Sequence, residues 1–384
     1  MGRKSTGSDN GVGANGNGQR VTLKFLARHL DLSPTTISVV ISDSPLAGTI
    51  AQKTKDRIWE AVREFNYRPN VFARYLHGKR TYCVAVLVPD IGDEFSASLI
   101  SGIEKELAKQ GYFYFVVSHR GAPELIEKSP DTLLDRGVEG MIFINTPLKR
   151  SLSVPVVAIS DITEAPDVSR IVIDNARAAT LALKHLSKLG HRKIAVLRGP
   201  RGNGDSEDRW QSLQKAADEL GIAIAPKLTR ELGKYPECNN TSMSDLGYHA
   251  AKELLQVSHE FTALVAFNDG SAIGAIRAFR DAGLTVPNDI SVIGFDDIEQ
   301  AAFNVPRLTT IRQPLLNMGE LAARTLIKRI EAPGEKSREV LVEPKLVARE
   351  STAAPPATHR PNQFRSHDGT RHPASHSSLP ESHD

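Results

Sequence analysis

Cysteine is nearly absent from this 384-residue sequence, which contains only Cys83 and Cys238. Two cysteines are too few for a disulfide framework, and their separation does not match the spacing of metal ligands. Long apolar runs are absent as well, because no stretch approaches the roughly 20 residues that a membrane-spanning helix needs. The first twenty residues also lack the apolar segment of a signal peptide. These absences predict a cytoplasmic protein.

Catalytic motifs are missing too. The sequence contains no nucleophile elbow and no histidine with a carboxylate at a motif spacing. Asp296 and Asp297 would point to different faces of a helix that began there, which argues against an acid–base pair. The glycine-rich stretch at 11–16 matches a dinucleotide-binding pattern, but no strand precedes it. We therefore expect no catalytic residues, no metal site and no cofactor.

The sequence does contain enough apolar material for two or three folded domains, since hydrophobic residues make up 40% of the chain. Its charge is unevenly placed. Residues 1–80 hold 13 lysines and arginines against six acidic residues, a net charge of +7, and the remainder holds 35 against 39, a net charge of −4. A basic front part on a mildly acidic body is the pattern expected if only the front part meets nucleic-acid phosphates.

The basic part contains a helix-turn-helix pattern. An apolar stripe predicts a first short helix, formed by Leu23, Leu26, Ala27 and Leu30, with Thr22 as its cap. Ser33 and Pro34 predict the start of a second helix, because the serine hydroxyl accepts an orphan N–H that proline does not have to supply. A third stripe consists of Ile58, Ala61, Val62 and Phe65. Such a unit can lay its second helix in a DNA major groove, although a helical bundle without a DNA role would show the same stripes.

Separated motifs make the sequence resemble the lac-repressor (LacI/GalR) family of transcriptional regulators. They are Val21-Thr22-Leu23-Lys24, Leu32-Ser33-Pro34-Thr35-Thr36-Ile37-Ser38 and Tyr67-Arg68-Pro69-Asn70, followed by a segment similar to the family's hinge helix. The resemblance implies DNA contacts from Thr22, Lys24, Ser33, Pro34, Thr35, Thr36, Ser38, Val39, Asn70, Arg74 and Leu76. It also implies that Leu76 enters the minor groove as an apolar wedge, the alternative being that it packs on its own headpiece. A two-fold, pseudo-palindromic operator requires at least a homodimer.

From Thr81 onward, apolar runs alternate with helical patterns. Strands are expected at 84–88, 113–117, 140–144, 154–159, 171–173, 194–197, 228–231, 263–266 and 290–294, and helices at 95–110, 176–189, 206–220, 245–255 and 272–282. Such alternation predicts an α/β fold of doubly wound parallel sheets. Because about 270 residues is more than a single domain usually contains, two lobes are expected. The resemblance implies the family's bilobal, periplasmic-binding-protein-like core. It further implies three crossings between the lobes, near 180–200, near 310–315 and at one connection between them.

The resemblance places an effector site between the lobes. Its residues are Asp93, Phe95, Ser160, Asp161, Arg209, Asn268 and Asp296. A guanidinium, an amide and a carboxylate at Arg209, Asn268 and Asp296 can together bind the vicinal hydroxyls of a sugar or nucleoside. In the alternative, Asp269 or Asp297 caps the next helix and the arginine is a solvated surface charge.

The sequence departs from the family at two places in this site. The frequent Asn-Pro-Phe after the first strand is replaced by Asp93-Glu94-Phe95, and the usual aspartate near 160 is replaced by Ser160, with Asp161 one position on. These departures leave the effector's identity open. If Asp93 and Glu94 face the cleft, their carboxylates would disfavour an anionic ligand.

Five segments are expected. They are a disordered leader at 1–19, a helix-turn-helix DNA-binding domain at 20–67, a hinge helix and linker at 68–80, a bilobal effector-binding and dimerisation domain at 81–350, and a disordered tail at 351–384. The tail has irregularly spaced histidines and no leucine heptads, so we expect neither a defined metal site nor a tetramerising coiled coil. The predicted function is a nucleoid-associated repressor whose small effector, a sugar or sugar derivative, closes the lobes. The alternative, a periplasmic-type sugar-binding protein without a DNA role, does not explain residues 21–80.

Overall fold

The computed structural model describes residues 21–41, 45–67, 80–159, 163, 165–201, 204–233, 241–258 and 260–357. It contains two compact units, of which one includes the N-terminal helices and the other includes most of the α/β body. The predicted leader at 1–19, nearly all of the hinge at 68–80 and the tail beyond 357 lie outside the described residues.

Three helices are described before residue 68, in the N-terminal part of the chain. They are Leu23–Leu30 (α1), Pro34–Ile41 (α2) and Gln52–Glu64 (α3), with a 3-10 turn at Pro45–Thr49. Their shared core is formed by Val21, Leu26, Ala27, Leu30, Ile37, Val40, Ile58 and Ala61. The apolar stripes predicted from the sequence therefore meet in one core, with Leu23, Val62 and Phe65 partly buried at its margin. Arg57 Nη2 donates to the Leu30 carbonyl oxygen at 3.1 Å and ties α3 to the end of α1.

Strands and helices mostly alternate along the described residues of the α/β body, except that β3, β4 and β5 follow one another with no described helix between them. The strands are Cys83–Val88 (β1), Phe113–Ser118 (β2), Met141–Ile144 (β3), Val156–Ile159 (β4), Val168–Ile173 (β5), Ile194–Arg198 (β6), Thr229–Glu231 (β7), Ala263–Val265 (β8), Ser291–Asp296 (β9), Thr309–Arg312 (β10), Glu339–Val342 (β11) and Lys345–Val347 (β12). The helices are Glu94–Lys109 (α4), Pro123–Leu134 (α5), Asn175–Leu189 (α6), Gly204–Glu219 (α7), Met243–Val257 (α8), Asp269–Asp281 (α9), Glu299–Phe303 (α10) and Leu315–Glu331 (α11). Helices α5, α10 and α11 and strands β10 to β12 are additional to the elements predicted from the sequence.

Two six-stranded sheets organise the body. The first has the order β11-β5-β4-β3-β1-β2 and the second the order β12-β10-β9-β8-β6-β7. Strands β6 to β10 are parallel, and β12 joins their edge in antiparallel orientation. These sheets confirm the predicted α/β, bilobal fold class.

The chain crosses between the two sheets three times. The crossings follow β5 at 173–175, β10 at 312–315 and β11 at 342–345. Only the second lies where it was expected. The first comes earlier because α6 already packs on the second lobe, and the third comes later because α11 and β11 return to the first lobe.

The packed body also extends past the boundary expected at 350. Ser351 is fully buried, and its Oγ donates to the Val292 carbonyl oxygen at 2.6 Å. Two residues on, the Ala353 carbonyl oxygen accepts from His191 Nε2 at 2.8 Å. Short residues such as these give no apolar periodicity, so the sequence pattern did not distinguish them from the tail.

Candidate functional site

The start of α2 exposes short polar side chains. Ser33 Oγ accepts the Thr36 N–H at 3.0 Å and lies 2.8 Å from Thr36 Oγ1, so it caps the helix as the sequence predicts. The core is filled by Ile37 and Val40. The exposed or half-buried positions are Ser33, Pro34, Thr35, Thr36, Ser38 and Val39. The accessible face of α2 therefore carries hydroxyl and methyl groups and no charge.

Exposed cations lie on the neighbouring helices. Thr22 Oγ1 accepts the Phe25 N–H at 3.2 Å and caps α1, and Lys24 and Arg28 are exposed along that helix. Lys53 is exposed near the start of α3. Such side chains can bind phosphates without reading sequence. Asn70, Arg74 and Leu76 lie outside the described residues, so their DNA contacts stay predictions.

A cavity of about 630 Å³ lies in the α/β body at the carboxyl ends of the strands. The first lobe lines it with Pro89, Asp90, Gly92, Asp93, Glu94, Phe95 and Asn145. The second lobe adds Pro200, Asp205, Arg209, residues 241–244, Phe267, Asn268, Gly270, Ile273, Asp296, Ile298, Gln300, Phe303 and Asn304. In each lobe the strand order reverses at this edge, between β1 and β3 and between β6 and β8. Doubly wound sheets bind small ligands at such a point.

Arg209 is anchored in the wall of this cleft. Its Nη1 donates to the Phe267 carbonyl oxygen at 2.6 Å, and its Nη2 donates to Asp205 Oδ2 at 2.8 Å. The guanidinium carbon lies 3.7 Å from the ring centroid of Phe295. With 13% of its side chain exposed, Arg209 is part of a built site, and the alternative of a solvated surface charge does not hold.

Asp296 ends β9 with an unusual backbone. Its φ is 115° and that of Asp297 is 61°, a region that non-glycine residues rarely adopt. Asp296 Oδ1 accepts from Gln313 Nε2 at 2.7 Å. Burial raises the pKa of Asp296 well above its usual range, and the nearby positive charge of Arg209 opposes that rise.

Asp297 serves a different purpose from its neighbour. Its Oδ1 accepts from Arg349 Nη2 at 2.6 Å and its Oδ2 from Arg312 Nε at 2.5 Å. The N-cap position of α10 is occupied by Ile298. Asp297 therefore forms ion pairs and does not cap α10, and only Asp296 of the pair lines the cleft.

Asn268 caps α9. Its Oδ1 accepts the Ser271 N–H at 2.9 Å, so the amide nitrogen is the group left to donate to a ligand. Asp269 is fully buried behind it, where Oδ1 accepts from Thr310 Oγ1 at 2.5 Å and Oδ2 from the Ile298 N–H at 3.0 Å. Burial raises the pKa of Asp269 to about 7. Gly294 leaves room for this carboxylate, since a Cβ there would lie 2.1 Å from Asp269 Oδ1.

On the first lobe, some polar atoms of the cleft wall lack hydrogen-bond partners. Asp93 caps α4 by accepting the Ser96 N–H at 3.2 Å. Its side chain stays accessible from the cavity, yet the surrounding protein limits its hydration and burial raises its pKa. Among the described residues, Glu94 Oε2 and Asn145 Oδ1 are buried without a hydrogen-bond partner. Phe95 is buried beside them, whereas Ser160 and Asp161 lie outside the described residues.

The charge of the lining selects among ligands. Among the described residues of the lining, the carboxylates are those of Asp90, Asp93, Glu94, Asp205 and Asp296, and one guanidinium, that of Arg209, is already paired with Asp205. Excess negative charge disfavours an anion, and acceptor oxygens favour a ligand with hydroxyl or amine donors. Phe303, 77% exposed, adds an aromatic face that no sequence motif indicated. Asn145 was also missed, although its place directly after β3 is the signal that could have identified it.

Two general properties of the described ranges bear on function. No group of three or more histidine, cysteine, aspartate and glutamate side chains within them lies together in a way that could hold a metal ion. In the same ranges, no helix combines the length and the apolar character needed to cross a membrane.

Comparison with protein families and curated relatives agrees with this geometry. The model of the lacI family of bacterial regulatory proteins matches residues 22–70, and that of the periplasmic binding protein-like domain matches residues 183–352. The HTH-type transcriptional repressor PurR of Aliivibrio salmonicida is 31% identical over 338 residues, which are 86% of this chain and 98% of the relative. The ribose operon repressor of Haemophilus influenzae is 30% identical over 338 residues, with the same coverage of 86% and 98%.

Solved structures show the same similarity. The lac repressor dimer bound to operator and the anti-inducer ONPF is 26% identical, with a TM-score of 0.74 over 88% of this chain and 100% of that chain. The complex of the transcriptional regulator CelR with cellobiose is 27% identical, with a TM-score of 0.64 over 86% of this chain and 100% of that chain. Both the helical unit and the α/β body are therefore shared with known regulators.

Proposed function

This chain belongs to the lacI family of bacterial regulatory proteins and is a DNA-binding transcriptional regulator, and we propose that it is a repressor controlled by a small, uncharged, hydroxyl-rich effector. The observation that carries the effector class is the lining of the 630 Å³ cleft, where carboxylates outnumber the one paired arginine. An uncharged sugar, sugar derivative or nucleoside fits this chemistry better than a sugar phosphate or a nucleotide, because a phosphate group would meet uncompensated carboxylates.

The cleft residues divide the recognition between them. Asp296 accepts from ligand hydroxyls and Asn268 donates through its amide nitrogen, while Arg209 fixes the arrangement of the second wall. Phe303 supplies a ring face for a sugar or base. On the first wall, Glu94 and Asn145 gain the donors that they lack when a ligand closes the lobes. Asp93 and Phe95 complete that wall, and we assign Ser160 and Asp161 to the site by resemblance alone.

The DNA function follows from α2 and its surroundings. We assign the assembly as a homodimer on a pseudo-palindromic operator, as in the lac repressor dimer bound to operator. It acts in the cytoplasm at the nucleoid and catalyses no reaction. A periplasmic-type sugar-binding protein would not account for the headpiece at 22–70.

Selection of DNA fragments from the native genome by the purified full-length protein tests the DNA function. Thermal denaturation with matched pairs, D-ribose against D-ribose 5-phosphate and adenosine against adenosine monophosphate, then tests the effector class. We expect stabilisation by an uncharged member of a pair and none by its phosphorylated partner. Preference for the phosphorylated members would overturn the effector class, and failure to enrich any fragment would overturn the DNA function.

A further inference from the structure

One carboxylate outside the cleft collects an unusual number of donors. Glu139 Oε2 accepts from Arg80 Nε at 3.1 Å and from Arg80 Nη2 at 3.0 Å. Glu139 Oε1 accepts the N–H groups of Thr81 and Tyr82, the latter at 3.0 Å, and the Thr81 hydroxyl at 3.2 Å. The Glu139 side chain is 15% exposed, so these contacts are largely shielded from water. We call this set of residues, Arg80, Thr81, Tyr82 and Glu139, the Glu139 clamp.

The clamp is placed where the chain leaves the DNA-binding part and enters the α/β body. Residue 80 follows directly on the segment that joins the headpiece to the body, and β1 begins at Cys83. The Thr81 hydroxyl also donates to the Gly137 carbonyl oxygen at 2.6 Å. Tyr82 has a φ of 53°, and the Arg80 guanidinium carbon lies 4.7 Å from its ring centroid. Backbone and side-chain contacts therefore fix both the position and the direction of the chain at this point.

The clamp is also tied to the strands that lead to the cleft. The Glu139 N–H donates to the Cys83 carbonyl oxygen at 2.7 Å, and β1 and β3 then pair in parallel from Ala85 and Met141. At their carboxyl ends the same two strands are followed by Asp90 and Asn145, which line the cleft. One end of this strand pair therefore holds the segment leading to the headpiece, and the other end meets the ligand.

We propose that Glu139 is a positioning residue for operator binding, which fixes the chain at residues 80–82 so that two headpieces of a dimer are presented at the separation of the operator half-sites. The inference rests on the proposed dimeric repressor function. Each headpiece keeps its own core when the clamp opens, because that core is formed within residues 21–67. Opening the clamp therefore costs affinity for a full site and spares affinity for a half-site.

The test uses full-length Glu139→Gln. A glutamine can still accept from Thr81 and Tyr82 through its oxygen, but its amide would place N–H donors against the N–H donors of Arg80. The probes are a DNA fragment selected with the wild-type protein, a fragment carrying one half-site, and a scrambled fragment. We expect affinity for the full site to fall by about tenfold or more, with half-site and scrambled affinities unchanged. A full-site affinity equal to that of the wild type would overturn the proposal.

Two further variants separate positioning from general stability. Glu260→Gln is the matched control, since Glu260 is an exposed carboxylate that accepts from Lys227 Nζ at 3.2 Å and lies outside both binding sites. It should bind all three fragments like the wild type. Arg80→Met removes the charged partner, keeps the three contacts of residues 81–82, and serves if Glu139→Gln fails to fold. It should show the same selective loss for the full site, and equal losses for all three fragments would contradict the proposal.

Limited proteolysis reports on the clamp itself. Trypsin cleaves after arginine, and in the wild type both sides of the Arg80–Thr81 bond are held by Glu139. Cleavage at this bond, followed by mass spectrometry, should be about tenfold faster in Glu139→Gln at an unchanged melting temperature, because local opening governs the rate. Equal cleavage rates in the two proteins would show that the clamp does not hold this segment.

Discussion

The recognition helix and the cleft are built from opposite chemistry. Helix α2, with the sequence PTTISVVI, contains no charged residue, and its accessible groups are hydroxyls and methyls. The cleft concentrates five carboxylates and an arginine around one cavity. We propose that the first surface meets DNA, a polyanion, and that the second meets a small molecule, yet the charged groups lie in the second.

This difference indicates where each surface obtains its specificity. Short side chains on α2 can read thymine methyls and make single hydrogen bonds, while phosphate contacts from exposed cations supply affinity without sequence information. In the cleft, buried polar groups reject any ligand that fails to satisfy them, because an unpaired buried group is costly. Removing charge should therefore damage the cleft most, and adding charge should change the recognition helix most.

Removal of Arg209 is expected to have the largest effect. Arg209→Ala leaves Asp205 without its partner and strips the positive charge near Asp296. Breaking such a buried network costs about 3–5 kcal/mol of the free energy of unfolding. Urea denaturation of the α/β body measures it. Arg277→Ala is the control, because Arg277 is 71% exposed and solvent screens its pair with Asp281, so its removal should change the free energy of unfolding far less. Similar decreases in the free energy of unfolding for both variants would show that the buried Arg209 contacts stabilise the fold no more than an exposed ion pair does.

The pH dependence of Asp269 is the next largest effect. Its folded pKa is raised from 3.8 to about 7, so between these values the folded state binds more protons than the unfolded state. Stability contributed by this group is therefore present at low pH and is lost as pH rises toward 7, by on the order of a few kcal/mol. Asp269→Asn removes that dependence.

The difference between wild type and Asp269→Asn is the quantity to measure. Burial lowers the pKa of His119 to about 4, which makes its contribution rise with pH over the same window and oppose that of Asp269. His119 is present in both proteins, so its effect cancels in the difference, which then reports on Asp269 together with Asp296, whose pKa the Asp269 carboxylate also raises. A constant difference in unfolding free energy from pH 4 to 8 would show that Asp269 does not hold its proton.

The sequence predicted which residues line the cleft better than it predicted the hydrogen-bond partners of those residues. Asp93, Phe95, Arg209, Asn268 and Asp296 line the cleft, at positions that the family resemblance had indicated. Asn268 and Asp296 also lie at the carboxyl ends of strands that apolar runs reveal, whereas Arg209 lies on the helix after β6. Contacts that join distant segments were not predictable in this way. Thr310, the partner of Asp269, lies 41 residues away on a strand that no long apolar run marked, and Gln313 lies 17 residues from Asp296.

The same limit applies to the fold as a whole. Runs such as Cys83–Val88 are buried at every position and were readily identified as strands. The Glu139 clamp, in contrast, depends on a side chain meeting residues 57 to 59 positions earlier, which has no local signature. Backbone strain at Asp296 is equally invisible to spacing rules, although it accompanies a carboxylate of the cleft.

Replacement of the Asp296 carboxyl group tests ligand binding in the cleft. Asp296→Asn keeps the side-chain shape but replaces one oxygen by an NH2 group that cannot accept, so ligand hydroxyl groups lose a hydrogen-bond acceptor. We expect the affinity for the uncharged sugar or nucleoside identified by thermal denaturation to fall by tenfold or more, equivalent to about 1.5–3 kcal/mol. Titration calorimetry measures it, and DNA binding without ligand should be intact. Unchanged ligand affinity would place the site elsewhere.

Addition of charge to α2 is expected to have the smallest effect on affinity and the clearest effect on sequence preference. The position after Ser38 in this helix is Val39, which is half-buried. Valine cannot make the bidentate contact to guanine, so specificity at the facing base pair should be apolar or lax. Val39→Arg should create a preference for guanine there, by about 1–3 kcal/mol if the contact is bidentate.

Lys24→Ala, which removes an exposed cation of α1, should instead weaken binding to all sequences alike. Binding-site selection with the three proteins measures both outcomes, and identical sequence preferences for wild type and Val39→Arg would show that this position does not face the bases.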